Sequence, residues 1–258
     1  MKEKIYTIPV TDAFKEACQC ALCLLDKKLE KDYAEYVLGA SLMEPDGRAE
    51  TNKNGFCRKH FELLFNSHLN SHGLGLIMDT YLLNENEIIM NMFENKSSAI
   101  KKDSQLTIFN NITNKATMKQ TETQKFIEEI LTHLIAQESK CTICGKINYT
   151  MSRYIEVIFY LWLKEEEFKV LFNNKKGFCL KHFKLLLDGS RNHLKPAQTA
   201  SFVDSLMDMQ LKNMAELQKD VNWFTKKFDY RNNDAPWGNS KDSVSRSIQK
   251  IVGDCDLK

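Results

Sequence analysis

Two nearly identical segments constrain this chain more than any other feature. Residues 55–64 read GFCRKHFELL and residues 177–186 read GFCLKHFKLL, identical at eight of ten positions. A CxxC pair precedes each: Cys20 and Cys23 before the first, Cys141 and Cys144 before the second. Thirty-three residues separate Cys23 from Cys57 and 34 separate Cys144 from Cys179, so one insertion reconciles the two stretches. Such matched spacing reads as an internal duplication, one supersecondary unit used twice.

The residue types point to metal. Cys57 and His60, like Cys179 and His182, stand three residues apart, and such positions share a helix face. Each pair can aim at one atom. The positive end of a helix favours the thiolate form that binds metal. A CxxC knuckle adds two more thiolates, so each copy offers Cys3His, a closed tetrahedral zinc set. The expected sites are Cys20, Cys23, Cys57, His60 and Cys141, Cys144, Cys179, His182, with two Zn(II) per chain. In a nucleic-acid-reading finger about a dozen residues separate the ligand pairs; here the metal clips the ends of a helical hairpin. An iron–sulfur cluster on the same quartets is the alternative. Haem attachment through CxxCH fails, because Leu24 and Gly145 follow the pairs.

The other cysteines and histidines fall outside this chemistry. Cys18 stands where the second copy has Ser139, and Cys255 lies beyond both copies. Cys18 is expected to be a free thiol beside the first site, with substitution for a ligand in a CxCxxC cluster as the alternative. His68 and His72 have no repeated partner ligand and read as surface residues.

The 258 residues are enough to bury a core without disulfide staples, so stapling does not explain eight cysteines. Thirty-six Lys and Arg against 34 Asp and Glu leave +2, with a mean hydropathy of −0.42. Disorder and polybasic tails are excluded. Two zinc ions and six thiolates add +4 and −6, taking the formal charge to zero and weakening a charge-driven nucleic-acid reading. Pairs such as Arg58-Lys59, Lys175-Lys176 and Lys226-Lys227 read as solvated surface or as compensation for anionic metal centres. Only 10 Gly and 4 Pro leave little room for the turns of an all-β protein. The fold class is all-α, with two tandem helical modules, each clipped by a Cys3His site.

Along the chain, IYTIPV reads as an extended arm with Thr11 capping a short helix after it. Helices are expected over 22–42, 57–69 (ended by His72-Gly73), onward to 93, 123–137, 148–172, 196–228 and 242–252, with a break at Glu44-Pro-Asp-Gly. Residues 96–120 are polar and weakly periodic, the expected linker. The organisation is then a first module over 1–95, the linker 96–120, a second module over 121–228 and a tail over 229–258. The stripe Tyr154, Phe159, Trp162, Phe168 is core. The Met-bearing stripe of 202–228 reads as intramolecular packing, with an interaction face, to which adaptable Met side chains are suited, as the alternative.

Paired CxxC…GFCxxH copies, a long helix and a closing KFDYR…PWG…KD segment resemble an uncharacterised family of all-helical bacterial proteins, as does the opening YTIPVTDA of Tyr6 to Ala13. The resemblance implies a shared architecture and shared metal ligands, and no reaction. No Ser/His/Asp order, P-loop or HExxH appears, so an enzyme is not favoured. The opening MKEKIYTIPVTD lacks the apolar stretch of a signal peptide, so a cytoplasmic location is expected. The functional expectation is a zinc-binding adaptor for a protein partner, without nucleic acid, membrane or small-molecule substrate. A thiol-based redox or metal sensor is the alternative.

Overall fold

The computed structural model describes residues 4–110, 120–255 and 257, with side chains described outside Lys4 and 105–110. Among the described residues the chain is helical and has no strand. The helices are α1 (Lys4–Lys15), α2 (Ala21–Leu38), α3 (Pro45–Asn54), α4 (Arg58–Asn66), α5 (Ser71–Asn110), α6 (Glu122–Glu138), α7 (Thr142–Lys164), α8 (Glu166–Asn173), α9 (Leu180–His193), α10 (Pro196–Lys226) and α11 (Ser243–Val252).

Several elements differ from the sequence reading. The IYTIPV arm is helical: Val10 and Phe14, four residues apart, are completely buried, and that burial outweighs the lost amide donor of Pro9 inside α1. Pro45 begins α3 at its first turn, where a missing N–H costs nothing. The helix after Cys57 ends before His68, which takes a positive φ of 50°, and His72 and Gly73 open α5. The stretch 148–172 is two helices, parted at Glu165. The expected linker is helix as far as Asn110, because α6 gives its polar residues partners: Lys96 pairs with Glu122 and Glu129, and Asp103 accepts from the Thr123 amide and hydroxyl. Residues 111–119 of that linker lie outside the described residues.

The chain divides into two compact units that interleave along the sequence, where tandem modules over 1–95 and 121–228 were expected. One unit comprises Met1–Glu30 with Ile147–Lys258; the other is Lys31–Lys146. The boundaries fall within α2 and α7.

The first unit has an aromatic core. Phe14, Phe159, Phe168, Phe172, Phe178 and Phe202 are fully buried, with ring centroids 5.0 Å apart for Phe14 and Phe168 and 4.8 Å for Phe159 and Phe202. Trp162 meets Phe202 edge-on at 5.2 Å, the geometry that aromatic quadrupoles favour. The second unit has a thinner core, around Val37, Leu38, Phe56, Leu64 and Ile77. Its α6 starts at a capping box formed by Thr121 and Gln124 and has no fully buried residue.

Replacing Phe14 by Ala is expected to cost about 3–5 kcal/mol in urea unfolding, whereas Ile8→Ala, at a mostly exposed position, costs under about 1 kcal/mol.

Candidate metal centres

The repeated GFCxKHF segments take the same local form. Gly55 and Gly177 have φ of 53° and 79°, where a side chain is strained. A Cβ on Gly177 would also lie 2.5 Å from Gln210 Oε1, and one on Gly55 2.9 Å from the Tyr81 ring. The next residue, Phe56 or Phe178, is an apolar anchor in its core. Cys57 and Cys179 then cap α4 and α9 in extended conformation, with ψ of 164° and 158°. His60 and His182 follow in the first turn, almost wholly buried. In both segments the cysteine Sγ and histidine Nδ1 are 3.2 Å apart, as the i,i+3 spacing predicts.

The CxxC pairs straddle helix starts in the same way. Cys20 and Cys141 precede α2 and α7, and Cys23 and Cys144 lie in their first turns. The Cys144 amide points at Cys141 Sγ at 3.4 Å.

The structure assembles all eight residues into two quartets, and it crosses the copies. Cys20 and Cys23 meet Cys179 and His182, while Cys57 and His60 meet Cys141 and Cys144. In the first quartet His182 Nδ1 lies 3.5 Å from Cys20 Sγ and 3.3 Å from Cys23 Sγ, and Cys23 Sγ lies 3.6 Å from Cys179 Sγ. In the second, His60 Nδ1 is 3.2 Å from Cys141 Sγ and 3.3 Å from Cys144 Sγ, and Cys57 Sγ is 3.8 Å from Cys144 Sγ. The expected grouping of Cys20, Cys23 with Cys57, His60, and of Cys141, Cys144 with Cys179, His182, is therefore corrected. Each doubling of a loop costs only about 0.6 kcal/mol of closure entropy, so the longer crossed loops cost roughly 2 kcal/mol in all over the local ones. Helix packing outweighs such a sum. Each quartet lies wholly within one compact unit.

Both quartets can hold a metal ion. Their donors are soft sulfur and imidazole nitrogen, and in each group all four atoms lie within 4.8 Å of one another. The sulfurs are too far apart to be disulfides, which need about 2.05 Å, and all eight cysteines are free. A model of the family of unknown function DUF6062 matches residues 1–258. The chain belongs to that family. No curated protein and no solved structure matches it.

Electrostatics in this DUF6062 chain follow from crowding sulfurs at helix N-termini. Burial works to raise the Cys141 thiol, but hydrogen bonds from His60 and the Cys144 amide bring it down to about 6. Burial and then the neighbouring Cys141 push Cys144 up to about 12. The first quartet splits likewise: hydrogen bonds from Cys20 and Cys23 hold Cys179 far down, while Cys179 and Cys20 push Cys23 far up. Without a cation, one sulfur in a group carries the charge at its neighbours' expense. A divalent ion stabilises all three as thiolates.

The first quartet has supports that sequence reasoning missed. Asp26 Oδ2 stands 3.7 Å from His182 Nε2, an ion-pair distance longer than a hydrogen bond, and 2.6 Å from Lys181 Nζ. Against its desolvation, His182 and Lys181 hold Asp26 down to about 2. A carboxylate on the side of the second ring nitrogen favours, through its charge, a proton on Nε2, which leaves Nδ1 toward the sulfurs. Gln210, buried in α10, accepts from the Phe178 amide at 2.8 Å and donates to its carbonyl at 2.9 Å. Lys250 in α11 is buried and donates to the carbonyls of Lys176 and Phe178. Beyond α11, Gly253 has φ of 95°, and a Cβ there would sit 3.6 Å from Cys23 Sγ; the next amide, of Asp254, points at the same sulfur at 3.4 Å. The resembled closing segment hinted at this tail, but no local pattern marks Gln210 or Asp26. Cys18 lines a cavity of about 130 Å³ with Cys20, Cys23 and Asp254. His68 and His72 are exposed, and Cys255 belongs to neither quartet.

Double substitutions read the pairing directly. Cys20→Ser with Cys179→Ser is expected to leave one bound ion per chain by elemental analysis, and Cys20→Ser with Cys57→Ser to leave none. Copy-wise pairing reverses the two results.

Proposed function

We propose that this chain is a two-zinc helical scaffold that binds a protein partner, each Cys3His quartet holding one structural ion. The observation that carries the reading is the size of the quartets. Sulfurs about 2.3 Å and a nitrogen about 2.0–2.1 Å from one tetrahedral ion stand roughly 3.8 Å apart for two sulfurs and roughly 3.6 Å for sulfur and nitrogen. One sulfur pair in each quartet measures 3.6 Å (Cys23–Cys179) or 3.8 Å (Cys57–Cys144), the sulfur–nitrogen pairs measure 3.2–3.5 Å, and every pair of donor atoms lies within 4.8 Å. Convergence on a single centre favours one ion over an iron–sulfur cluster, whose ligands are spread over several irons. Four protein ligands fill a tetrahedral ion, which favours a structural role over hydrolysis.

A partner protein is the remaining inference. No helix among the described residues is long and apolar enough to cross a membrane. The neutral balance of chain plus two zinc centres disfavours a charge-driven nucleic-acid role, and the absence of binding to nucleic acid at low salt tests this. The cytoplasm, where thiols stay reduced, suits eight free cysteines.

Protein purified without metal supplementation is expected to carry two zinc per chain and to be colourless. One ion or none overturns the two-site reading, and iron with visible absorption replaces it by the iron–sulfur alternative. Chelation is expected to reduce helicity most in 31–146 by hydrogen exchange, because that unit has the thinner core.

One observation favours a second reading, a thiol-based sensor: Cys18 shares a cavity with Cys20 and Cys23. Two thiolates and one peroxide would give a disulfide and two hydroxides, with loss of the ion they held. Mild peroxide is then expected to release one zinc from the wild type and less from Cys18→Ala. Retention of both ions while accessible thiols oxidise removes the sensor mechanism.

A further inference from the structure

The hairpin of α5 and α6 carries a row of apolar residues that are exposed among the described residues. In α5, Thr80 and Tyr81 meet α3, Thr80 donating to Asn52 at 2.8 Å and the Tyr81 ring lying beside Gly55. Glu85 and Lys96 meet α6, through His133 at 2.8 Å and Glu129 at 3.4 Å. At 100° per residue these contacts place Leu82, Ile89 and Phe93 on the flank opposite α3. In α6, His133 and Gln137 bond to Glu85 of α5 and line a pocket with Asn52 and Lys53 of α3, and Phe126 meets Phe93 at 6.0 Å. The same rotation puts Ile127, Leu131 and Leu134 on the flank shared with Leu82. These six side chains are 39–59% exposed, and Leu83, Met90 and Ile135 at the margins are 50–66% exposed.

We infer that this face is the interface of a symmetric homodimer, in which two copies of the α5–α6 hairpin close into a four-helix bundle. Nine side chains of roughly 200 Å² each, about half exposed, offer roughly 900 Å² per chain, against about 800 Å² per partner in a standard stable interface. The largest apolar patch of an ordinary monomer is about 300–600 Å². A two-fold axis across the hairpin sets this apolar face of one copy against the same face of its mate, as an isologous interface requires. Helices apolar on two sides are the elements of a bundle, and a two-helix hairpin supplies half of one.

Light scattering on the full metal-loaded chain is expected to give twice the 29.9 kDa chain mass at about 10 µM. Leu131→Glu and Ile89→Glu each halve that mass while circular dichroism and the metal content per chain stay as in the wild type, which separates this interface from the zinc reading. Leu211→Glu, on an exposed position of α10, leaves the dimer intact. Hydrogen exchange of the unmodified chain across a dilution series gives a readout independent of folding of the variants: protection of 82–93 and 127–134 falls as the chain is diluted. A wild-type monomer, a dimer that survives both Glu variants, or exchange that ignores dilution overturns the proposal.

Discussion

Everything in this fold depends on bringing together sulfurs that are far apart in sequence at the starts of helices. Cys23 lies beside Cys179 and Cys57 beside Cys144, 156 and 87 positions away. Each quartet joins the N-termini of two helices, α2 with α9 and α4 with α7. Helix N-termini carry partial positive charge, so the same backbone that positions the sulfurs favours their ionised form. Local geometry and electrostatics thus agree before any ion is considered. Neither arrangement survives a side chain at Gly55 or Gly177, because each chain turn into Cys57 or Cys179 passes through positive φ.

The crossed pairing also orders the chain. The ligands of the inner quartet, Cys57 to Cys144, are nested in sequence between Cys23 and Cys179. Closing the inner group first shortens the effective loop for the outer one, so the entropy of the second closure is less than its separation suggests. The two compact units follow the same nesting, with Lys31–Lys146 inserted between the two parts of the other unit. A structural ion would contribute on the order of 10 kcal/mol in either pairing, so the choice falls to helix packing against the roughly 2 kcal/mol by which loop closure favours local pairing.

The eight residues that cluster were legible because their types repeat at a fixed spacing, and i,i+3 placement of cysteine and histidine needs only helix geometry. Their grouping was not legible. The two GFCxKH segments present the same half-site, as Cys57 and Cys179 show by their near-equal backbone angles, so nothing local tells one CxxC knuckle from the other. Only packing over the whole chain selects the partner. The same limit hid α1, whose Pro9 signals an extended arm until the burial of Phe14 is known, and the stretch from Lys96 to Asn110, whose polar residues become helical when α6 supplies ion pairs and caps. Helices with strong apolar stripes, such as α10, were legible to within a few residues.

The supports around the two quartets differ in kind. The outer quartet is held by groups outside the repeat: Asp26 behind His182, Gln210 and Lys250 on the backbone before Cys179, and Gly253 and Asp254 over Cys23. A zinc with three thiolates and a neutral imidazole carries one net negative charge, and the buried Lys250 ammonium lies on the loop that leads into it. The inner quartet is more open, with Cys57 and Cys144 only half-buried, and its loop is tied by the Thr142 amide to the Gly55 carbonyl at 3.0 Å. Equal ligand sets therefore sit in unequal surroundings. The aromatic core and the tail enclose one, while the other stands in the unit whose own core is slight, so an ion bound there would account for a larger share of order.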